Sequence, residues 1–310
     1  MKRGLLIIGL FGCLASSLQA QEPEGVVKAV QLKEFIITAE VGMDAQGFMD
    51  AVMADSSFYQ SFINLKYFPH RMESFLEVRN KGEKEKANLR RRADQTLNQG
   101  KRTITITNEI VSGKLYNRKG EHRYLTAEMY DEVFFPKAPE SVSRDIHTMD
   151  QVEVKGSKLE EYKSQLKKMM FNPGQEIVSV PFIGDKMDLF SPDMTPYYDF
   201  SVFSAYTPDS VWCYVFLVEA KPEFSANKTV IKRMTSYFDK TTMEVMSREY
   251  ALSNNTIFFE FDIWMKVDNK RIGREVVPIR IQYDGEWDIP FKSVENITFD
   301  IRCTNYDLSP

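Results

Sequence analysis

Nucleophilic and acidic side chains occur at two places in the chain with spacings that hydrolases use. Ser164 and Lys167 match the Ser-x-x-Lys pattern of acyl-enzyme hydrolases, but the companion Ser-Asp-Asn and Lys-Thr-Gly motifs are absent. Asp284, Glu286 and Asp288 alternate, so a strand would place all three carboxylates on one face. Such a set performs acid–base chemistry only where burial or mutual repulsion shifts a pKa. A solvated helix face and a solvated turn explain both patterns, so the sequence predicts no catalytic residue and favours a non-enzymatic protein.

The sequence also lacks the residue patterns that bind metals or cofactors. The three histidines, His70, His122 and His147, lie far apart, and no His or Cys pair has the spacing of metal ligands. The Gly-rich phosphate-binding loops of nucleotide enzymes are also missing. We therefore predict neither a metal site nor a cofactor.

The charge balance argues against a nucleic-acid partner. The 310 residues carry a formal charge of −4, whereas phosphate neutralisation needs a basic face. Arg90-Arg91-Arg92 forms the one locally basic run, and Glu85 and Asp94 lie close to it in sequence. We predict that this run is a solvated hairpin edge, where like charges guard against strand pairing.

The first twenty residues have the order of a secretory signal peptide. Lys2 and Arg3 give a basic start, Leu5–Ala15 is apolar, and the small residue Ala20 precedes the polar Gln21. The apolar run is too short to span a bilayer, which takes roughly 20 apolar residues. Residues 1–20 therefore predict export to the periplasm or the periplasmic face of the outer membrane, with cleavage between Ala20 and Gln21. Any membrane contact of the mature chain would then be peripheral.

Cys13 leaves a second form of processing open. Leu10-Phe11-Gly12-Cys13 resembles a bacterial lipobox, in which the cysteine receives a lipid anchor, although Phe11 departs from that pattern. The apolar run continues past Cys13 to Ala15, as it does in an ordinary signal peptide. We favour removal of Cys13 with the signal peptide and keep its lipidation as the alternative.

Two cysteines remain after the predicted cleavage. Cys213 and Cys303 each lie in an apolar, strand-like run, where a buried free thiol is common. An oxidising envelope compartment would also permit a disulfide. The sequence favours free thiols and leaves the disulfide as the lesser alternative.

Helix signals come first along the mature chain. After an extended segment over residues 21–43, Asp44 can cap a helix carrying Phe48 and Val52. Asp55-Ser56-Ser57 can restart that helix, and Pro69 ends it. A second amphipathic helix is predicted over residues 158–171, after a loop or linker near residues 136–156.

Strand signals fill the rest of the chain. Residues 72–135 contain alternating runs and Gly-ended polar turns at 79–82 and 117–120, which are typical of hairpins. From residue 198 onward, short runs with one apolar face follow each other through tight turns. We predict an α+β fold, in which an antiparallel meander forms a curved sheet or open half-barrel covered by two amphipathic helices. One domain would span residues 44–308, with the linker separating two lobes.

The C-terminal strands resemble those of the outer-membrane lipoprotein-sorting carriers. The resemblance rests on Thr229–Asp239, which ends at an Asp turn, on Met243–Tyr250 with its Ser247-Arg248 pair, and on the Val-Pro step in Val276–Ile281. It implies an open half-barrel whose concave apolar face holds acyl chains under a helical lid. Leu32–Glu40 and Tyr283–Phe291 are also similar to segments of uncharacterised exported proteins of Gram-negative envelopes, a resemblance that implies no activity.

The leading functional hypothesis is a non-enzymatic envelope protein that binds a lipid or another hydrophobic ligand on the concave face of the sheet. The candidate lining consists of alternate residues of three predicted strands: Phe200, Val202, Phe259, Phe261, Ile263, Met265, Ile279 and Ile281. One alternative is an outer-membrane interaction or assembly module that pairs with an envelope protein through a sheet edge. An unrecognised hydrolase is the third hypothesis.

Labelling with a radioactive fatty acid distinguishes the two forms of processing. We expect no label on the wild-type protein, because cleavage after Ala20 discards Cys13. Label that is present on the wild type and absent from Cys13→Ser would contradict this and establish a lipid anchor.

Overall fold

Twelve strands and three α-helices make up the part of the chain that the computed structural model describes. The described residues are 36–37, 45–80, 82, 84–145, 184–224, 228–256, 259–288 and 294–309. The predicted signal peptide, most of the extended segment over 21–43, and the helix predicted over 158–171 with Ser164 and Lys167 lie outside these ranges. Those predictions remain predictions.

All twelve strands belong to one open sheet. Their bounds are β1 (Ile36–Ile37), β2 (His70–Arg79), β3 (Glu85–Asn98), β4 (Lys101–Gly113), β5 (Glu140–Ser141), β6 (Tyr198–Tyr206), β7 (Trp212–Ala220), β8 (Ile231–Asp239), β9 (Val245–Thr256), β10 (Phe259–Ile272), β11 (Glu275–Asp288) and β12 (Glu295–Thr304). The spatial order is β1-β6-β7-β8-β9-β10-β11-β12-β2-β3-β4-β5. The short β1 pairs with β6 in parallel, and the other neighbours are antiparallel.

The last strand of the chain joins the two halves of the sheet. β12 pairs with β11 on one side and with β2 on the other, and Phe299 lies opposite Leu76 in the second pairing. Buried and half-buried residues alternate along β12, as expected for a strand with one face in the core. The N-terminal hairpins and the C-terminal meander therefore share one continuous apolar face, and the predicted α+β fold is confirmed.

Two of the helices form one bent element. α1 spans Ala45–Met53, and α2 spans Ser57–Tyr67. The Asp55 carboxylate accepts hydrogen bonds from the Ser57 backbone N–H at 2.9 Å and from its hydroxyl at 2.6 Å, which starts the second helix. Phe68 is extended, as the residue before Pro69 must be, so α2 ends there. The bend and both helices agree with the sequence prediction.

The third helix corrects the prediction of strands over residues 72–135. α3 spans Leu125–Phe134. The polar turn at 117–120 closes a short antiparallel bridge between Tyr116 and His122, in agreement with the predicted hairpin turn, and the chain then enters this helix. The carboxylate of the buried Glu295 accepts hydrogen bonds from the backbone N–H groups of Leu125 at 2.7 Å and Thr126 at 2.9 Å. A carboxylate at this end of a helix also matches the helix dipole. That partner lies about 170 residues away, so no local signal predicted the helix that follows the turn.

The basic run at 90–92 is a second correction. It lies in β3, which pairs with β2 on one side and with β4 on the other, so it is not at an edge of the sheet. Arg90 and Arg92 are exposed to solvent, but Arg91 points to the core face and is only 4% exposed. Its burial is possible because two carboxylates meet it there, as described below.

The remaining predictions for this part of the chain concern the cysteines and the linker. Cys213 and Cys303 are both buried and free, as favoured from the sequence. Within the predicted linker, Glu140 and Ser141 form β5 and pair with Arg102 and Lys101 of β4. Residues 146–156 lie outside the described ranges.

Candidate functional site

The predicted ligand lining lies on the core face of the sheet. Six of its residues belong to the buried core cluster and are at most 3% exposed: Phe200, Val202, Phe261, Ile263, Met265 and Ile281. Ile279 is half-buried at a register shift between β10 and β11 and is not in that cluster. The side chain of Phe259 lies outside the described residues. The structure thus gathers most of the set on one face and covers that face.

α1 covers the face through one aromatic side chain. The ring of Phe48 lies 5.7 Å from that of Tyr214 and 6.0 Å from those of Phe216 and Phe238, measured between centroids. Phe216 stacks on Phe200 at 6.0 Å, so the contact of α1 extends to the predicted lining. Edge-to-face and stacked rings of this kind stabilise by about 0.5–1.5 kcal/mol per pair beyond their burial.

α2 covers the neighbouring strands. Phe58 meets the ring of Tyr250 edge-on at 6.5 Å, and the Tyr250 hydroxyl donates to the sulfur of Met265 at 2.9 Å. Burial raises the pKa of Tyr250 far above its usual value, so the phenol stays protonated and remains a donor. Met265 of the predicted lining is therefore held directly beneath α2.

A buried arginine anchors the bend between the two helices. Arg248 of β9 donates to the Ser236 hydroxyl at 2.8 Å, approaches the Asp55 carboxylate to 3.5 Å, and lies 4.4 Å from the centre of the Phe58 ring. Burial lowers the pKa of Arg248, with Asp55 opposing that shift. The Ser57 hydroxyl accepts from the backbone N–H of Val245 at 2.8 Å. The bend is thus fixed to the sheet by directional, charge-assisted bonds.

Further along α2, an amide makes a second anchor. The Asn64 side chain donates to the backbone carbonyl of Val276 at 2.9 Å and to the Glu275 carboxylate at 3.3 Å. A polar groove of about 350 Å³ lies between these anchors and the strand turns below them. Its charged lining includes Asp55, Glu244, Arg274 and Glu275. The edge of the helix pair that faces this groove is therefore polar, whereas its underside is apolar.

α3 is attached by a buried charge cluster. Arg91 makes ion pairs of 2.6 Å with both Asp131 of α3 and Glu109 of β4, and the Asp131 carboxylate also contacts the His122 ring at 2.9 Å. Burial alone would raise the pKa of Asp131, but the hydrogen bonds from His122 and Arg91 outweigh it and hold that pKa below its usual value. Asp131 therefore stays ionised, and α3 is fixed to the sheet by charge.

Two further buried polar side chains, Gln95 and His70, lie where α2 ends. The side-chain amide of Gln95 donates to the carbonyls of Leu65 and Phe68 at 2.8 and 2.7 Å, and the His70 ring contacts the Phe68 carbonyl at 2.8 Å. Burial lowers the pKa of His70 to about 4, with Arg102 contributing to the decrease. The imidazole is therefore neutral at pH 7, which suits a structural hydrogen bond.

The candidate carboxylates lie on the face of the sheet away from the core. β11 places Asp284, Glu286 and Asp288 at alternate positions, with Asp284 and Glu286 exposed, so this run belongs to a strand and not to the turn favoured from the sequence. No group of three His, Cys, Asp or Glu side chains that could hold a metal ion occurs within the described ranges. None of the described helices has the length and hydrophobicity needed to cross a bilayer.

Sequence reasoning missed the polar anchors. Arg248 entered the argument only as half of a residue pair, and Asp55 only as a helix start. The available signal was that Arg248 alternates with the buried Tyr250 and Leu252, because a charged side chain at a core position needs a partner from elsewhere in the fold.

Three solved structures are similar to this chain at low sequence identity. One, described as an outer membrane lipoprotein-sorting protein domain from Vibrio parahaemolyticus, is 9% identical, with 84% of this chain and 91% of that chain covered and a TM-score of 0.27. A LolA superfamily protein from Nitrosomonas europaea is 10% identical, with coverages of 86% and 94% and a TM-score of 0.26. A DUF1329 family protein from Desulfovibrio piger is 12% identical, with coverages of 82% and 93% and a TM-score of 0.24.

No family model matches the chain, and no curated protein matches it significantly.

The buried His70 predicts a pH dependence of stability. Its pKa is about 4 in the folded protein, against 6.5 for an unperturbed histidine, so the unfolded chain takes up the proton first as pH falls. Stability is fully present above pH 6.5 and is lost between pH 6.5 and 4, at about 1.4 kcal/mol per pH unit. Urea unfolding at pH 7 and pH 5 measures the loss, which we expect to be about 2 kcal/mol from this group.

His70→Phe is the matched variant for this measurement. A phenyl ring can still stack on Tyr306, as the imidazole does at 4.7 Å, and the Phe68 carbonyl keeps its bond from Gln95. The loss of stability between pH 7 and pH 5 should shrink by about 2 kcal/mol in this variant. An unchanged loss would show that other groups cause it.

Proposed function

We propose that this protein is a non-enzymatic carrier that binds a lipid-like, apolar ligand between the sheet and α1. The observation that supports this most directly is the difference in attachment along the bent helix. The bend and α2 are tied to the sheet by Arg248, Ser57 and Asn64, whereas Phe48 of α1 packs on three aromatic rings. An acyl chain can replace the apolar contacts of the Phe48 ring with apolar contacts of its own.

α1 is the part of the cover suited to opening. It has nine residues, and isolated helices shorter than about 12–15 residues are marginal in water, so its stability depends on packing against the sheet. The anchored bend at Ala54–Ser56 can serve as the hinge. Lifting α1 would open a path to Phe216 and, next to it, to Phe200 and Val202 of the predicted lining.

The composition of the core favours repacking of its side chains around a bound ligand. The buried cluster contains seven methionines: Met49, Met72, Met129, Met187, Met194, Met234 and Met265. The unbranched thioether adapts to irregular spaces and recurs at surfaces that accept varied ligands. Aromatic rings such as Phe200 and Phe216 supply large apolar area next to them.

The cellular setting follows from the predicted signal peptide. An exported protein with this site would act in the periplasm or at the periplasmic face of the outer membrane, where lipids must cross an aqueous space. The polar groove beside Asp55 and Glu275 would then lie at the side of the opening where a ligand's polar end could remain hydrated.

Two experiments test the proposal: native mass spectrometry of protein purified without detergent, and ligand binding by a variant of α1. We expect a bound species of lipid mass and the same lipid in an organic extract. For a fluorescent fatty acid, Phe48→Ala should increase the affinity about tenfold, because it weakens the closed state that competes with the ligand.

Phe134→Ala is the matched control. Phe134 is a buried phenylalanine of α3, packed on Phe299 at 5.9 Å, so its removal should destabilise the protein by a similar amount and leave the affinity unchanged. A lipid-free wild type that does not bind the probe would contradict the proposal. Equal effects of the two variants would contradict the role of α1.

A further inference from the structure

β4 has a long edge that no described strand covers. It pairs with β3 from Lys101 to Gly113, whereas β5 covers its other edge only at Lys101 and Arg102. Among the described strands, none pairs with that second edge from Thr103 onward. Residues 105–113 are all exposed, so none of the described segments buries this stretch of β4.

The same stretch carries the largest group of exposed aliphatic side chains in the described part of the chain. Ile110 is 57% exposed, Ile106 is 44% exposed and Val111 is 37% exposed. Natural proteins usually protect a long edge with charges, prolines or a covering element, because an open apolar edge pairs with other chains. Between Thr103 and Gly113 the only charged residue is Glu109, which is ion-paired to Arg91.

From these features we infer that this edge is an interface between two copies of the protein, in which β4 pairs with β4 of a second copy in antiparallel orientation about a two-fold axis. Such pairing adds a strand to each sheet and would form about ten backbone hydrogen bonds over ten residue pairs, as many as a typical specific interface contains.

A bulge in β4 favours a second copy as the partner. The register with β3 shifts between Ile106 and Asn108, and Thr107 is the extra residue. Residues 104 and 106 lie on the core side before the bulge, whereas residues 109 and 111 lie on that side after it. A regular strand from another protein would therefore have to repeat the register shift that β3 makes there in order to match both halves of β4.

Antiparallel self-pairing needs no such shift. When the two-fold axis passes between Thr107 and Asn108, the half before the bulge meets the half after it. Ile104 then faces Val111 of the second copy on the core side, and Thr105 faces Ile110 on the outer side. An axis between residues 106 and 107 also joins matching faces, but it extends the pairing onto residues 101 and 102, which β5 already covers.

The length of the free edge agrees with this register. The first residue beyond the cover of β5 is Thr103, and the last before the positive φ of Gly113 is Ser112. Thr103 and Ser112 are partners when the axis lies between residues 107 and 108. The symmetric pairing therefore uses the whole open edge, about 34 Å long for ten residues.

Sedimentation velocity over a wide range of concentration tests the interface. The wild type should form a dimer whose fraction rises with concentration. Ile106→Lys and Ile110→Lys should each raise the dimer dissociation constant at least about tenfold, since a lysine at an open edge opposes pairing. Tyr206→Lys, at a residue of β6 that is 65% exposed, introduces the same charge elsewhere and should leave the dimer unchanged.

Cysteine cross-linking tests the register independently. A mixture of Thr105→Cys and Ile110→Cys copies should form a disulfide-linked dimer on mild oxidation, because these residues are opposite each other. Thr105→Cys copies alone should not, because residue 105 lies far from its own equivalent. A monomeric wild type at all concentrations, unaffected dimers in the lysine variants, or equal cross-linking in both samples would overturn the proposal.

Discussion

An open sheet with one apolar face must keep that face out of water, and the other features of this chain depend on how it does so. The hydrophobic free energy of the buried rings and aliphatic side chains favours any cover that excludes solvent. Here the described cover consists of three short helices, none longer than eleven residues. The way in which each helix is attached then decides which part of the face can open.

Two kinds of attachment divide the cover. The buried ion pairs of Arg91 hold α3, and breaking such a pair by removing one partner costs about 3–5 kcal/mol. Arg248 and Asn64 hold the bend and α2 in a similar, directional way. Phe48 on α1 instead makes apolar contacts, which tolerate exchange for another apolar surface. Polar contacts thus hold α2 and α3 to the sheet, and α1 is the part of the described cover that we propose a ligand can replace.

Local patterns predicted the elements whose cause is local. The spacing of Phe48 and Val52 and the restart at Asp55 predicted both halves of the bent helix, and strict alternation predicted the strands of the meander. The buried position of Arg91 could not be predicted, because its partners Glu109 and Asp131 lie 18 and 40 residues further along the chain. The sequence placed the predicted lining on one face and assigned two amphipathic helices to cover it, but it did not predict α3, whose capping partner Glu295 is distant in the chain.

Native-state hydrogen exchange of the backbone amides tests most directly whether α1 is the replaceable element. We predict that the amides of α1 exchange by local opening, with a free energy well below that of the strands β9–β11, and that a bound fatty acid changes protection in α1 before it does so in α3. Exchange of the α1 amides only through global unfolding, at the free energy of the sheet, would contradict the account.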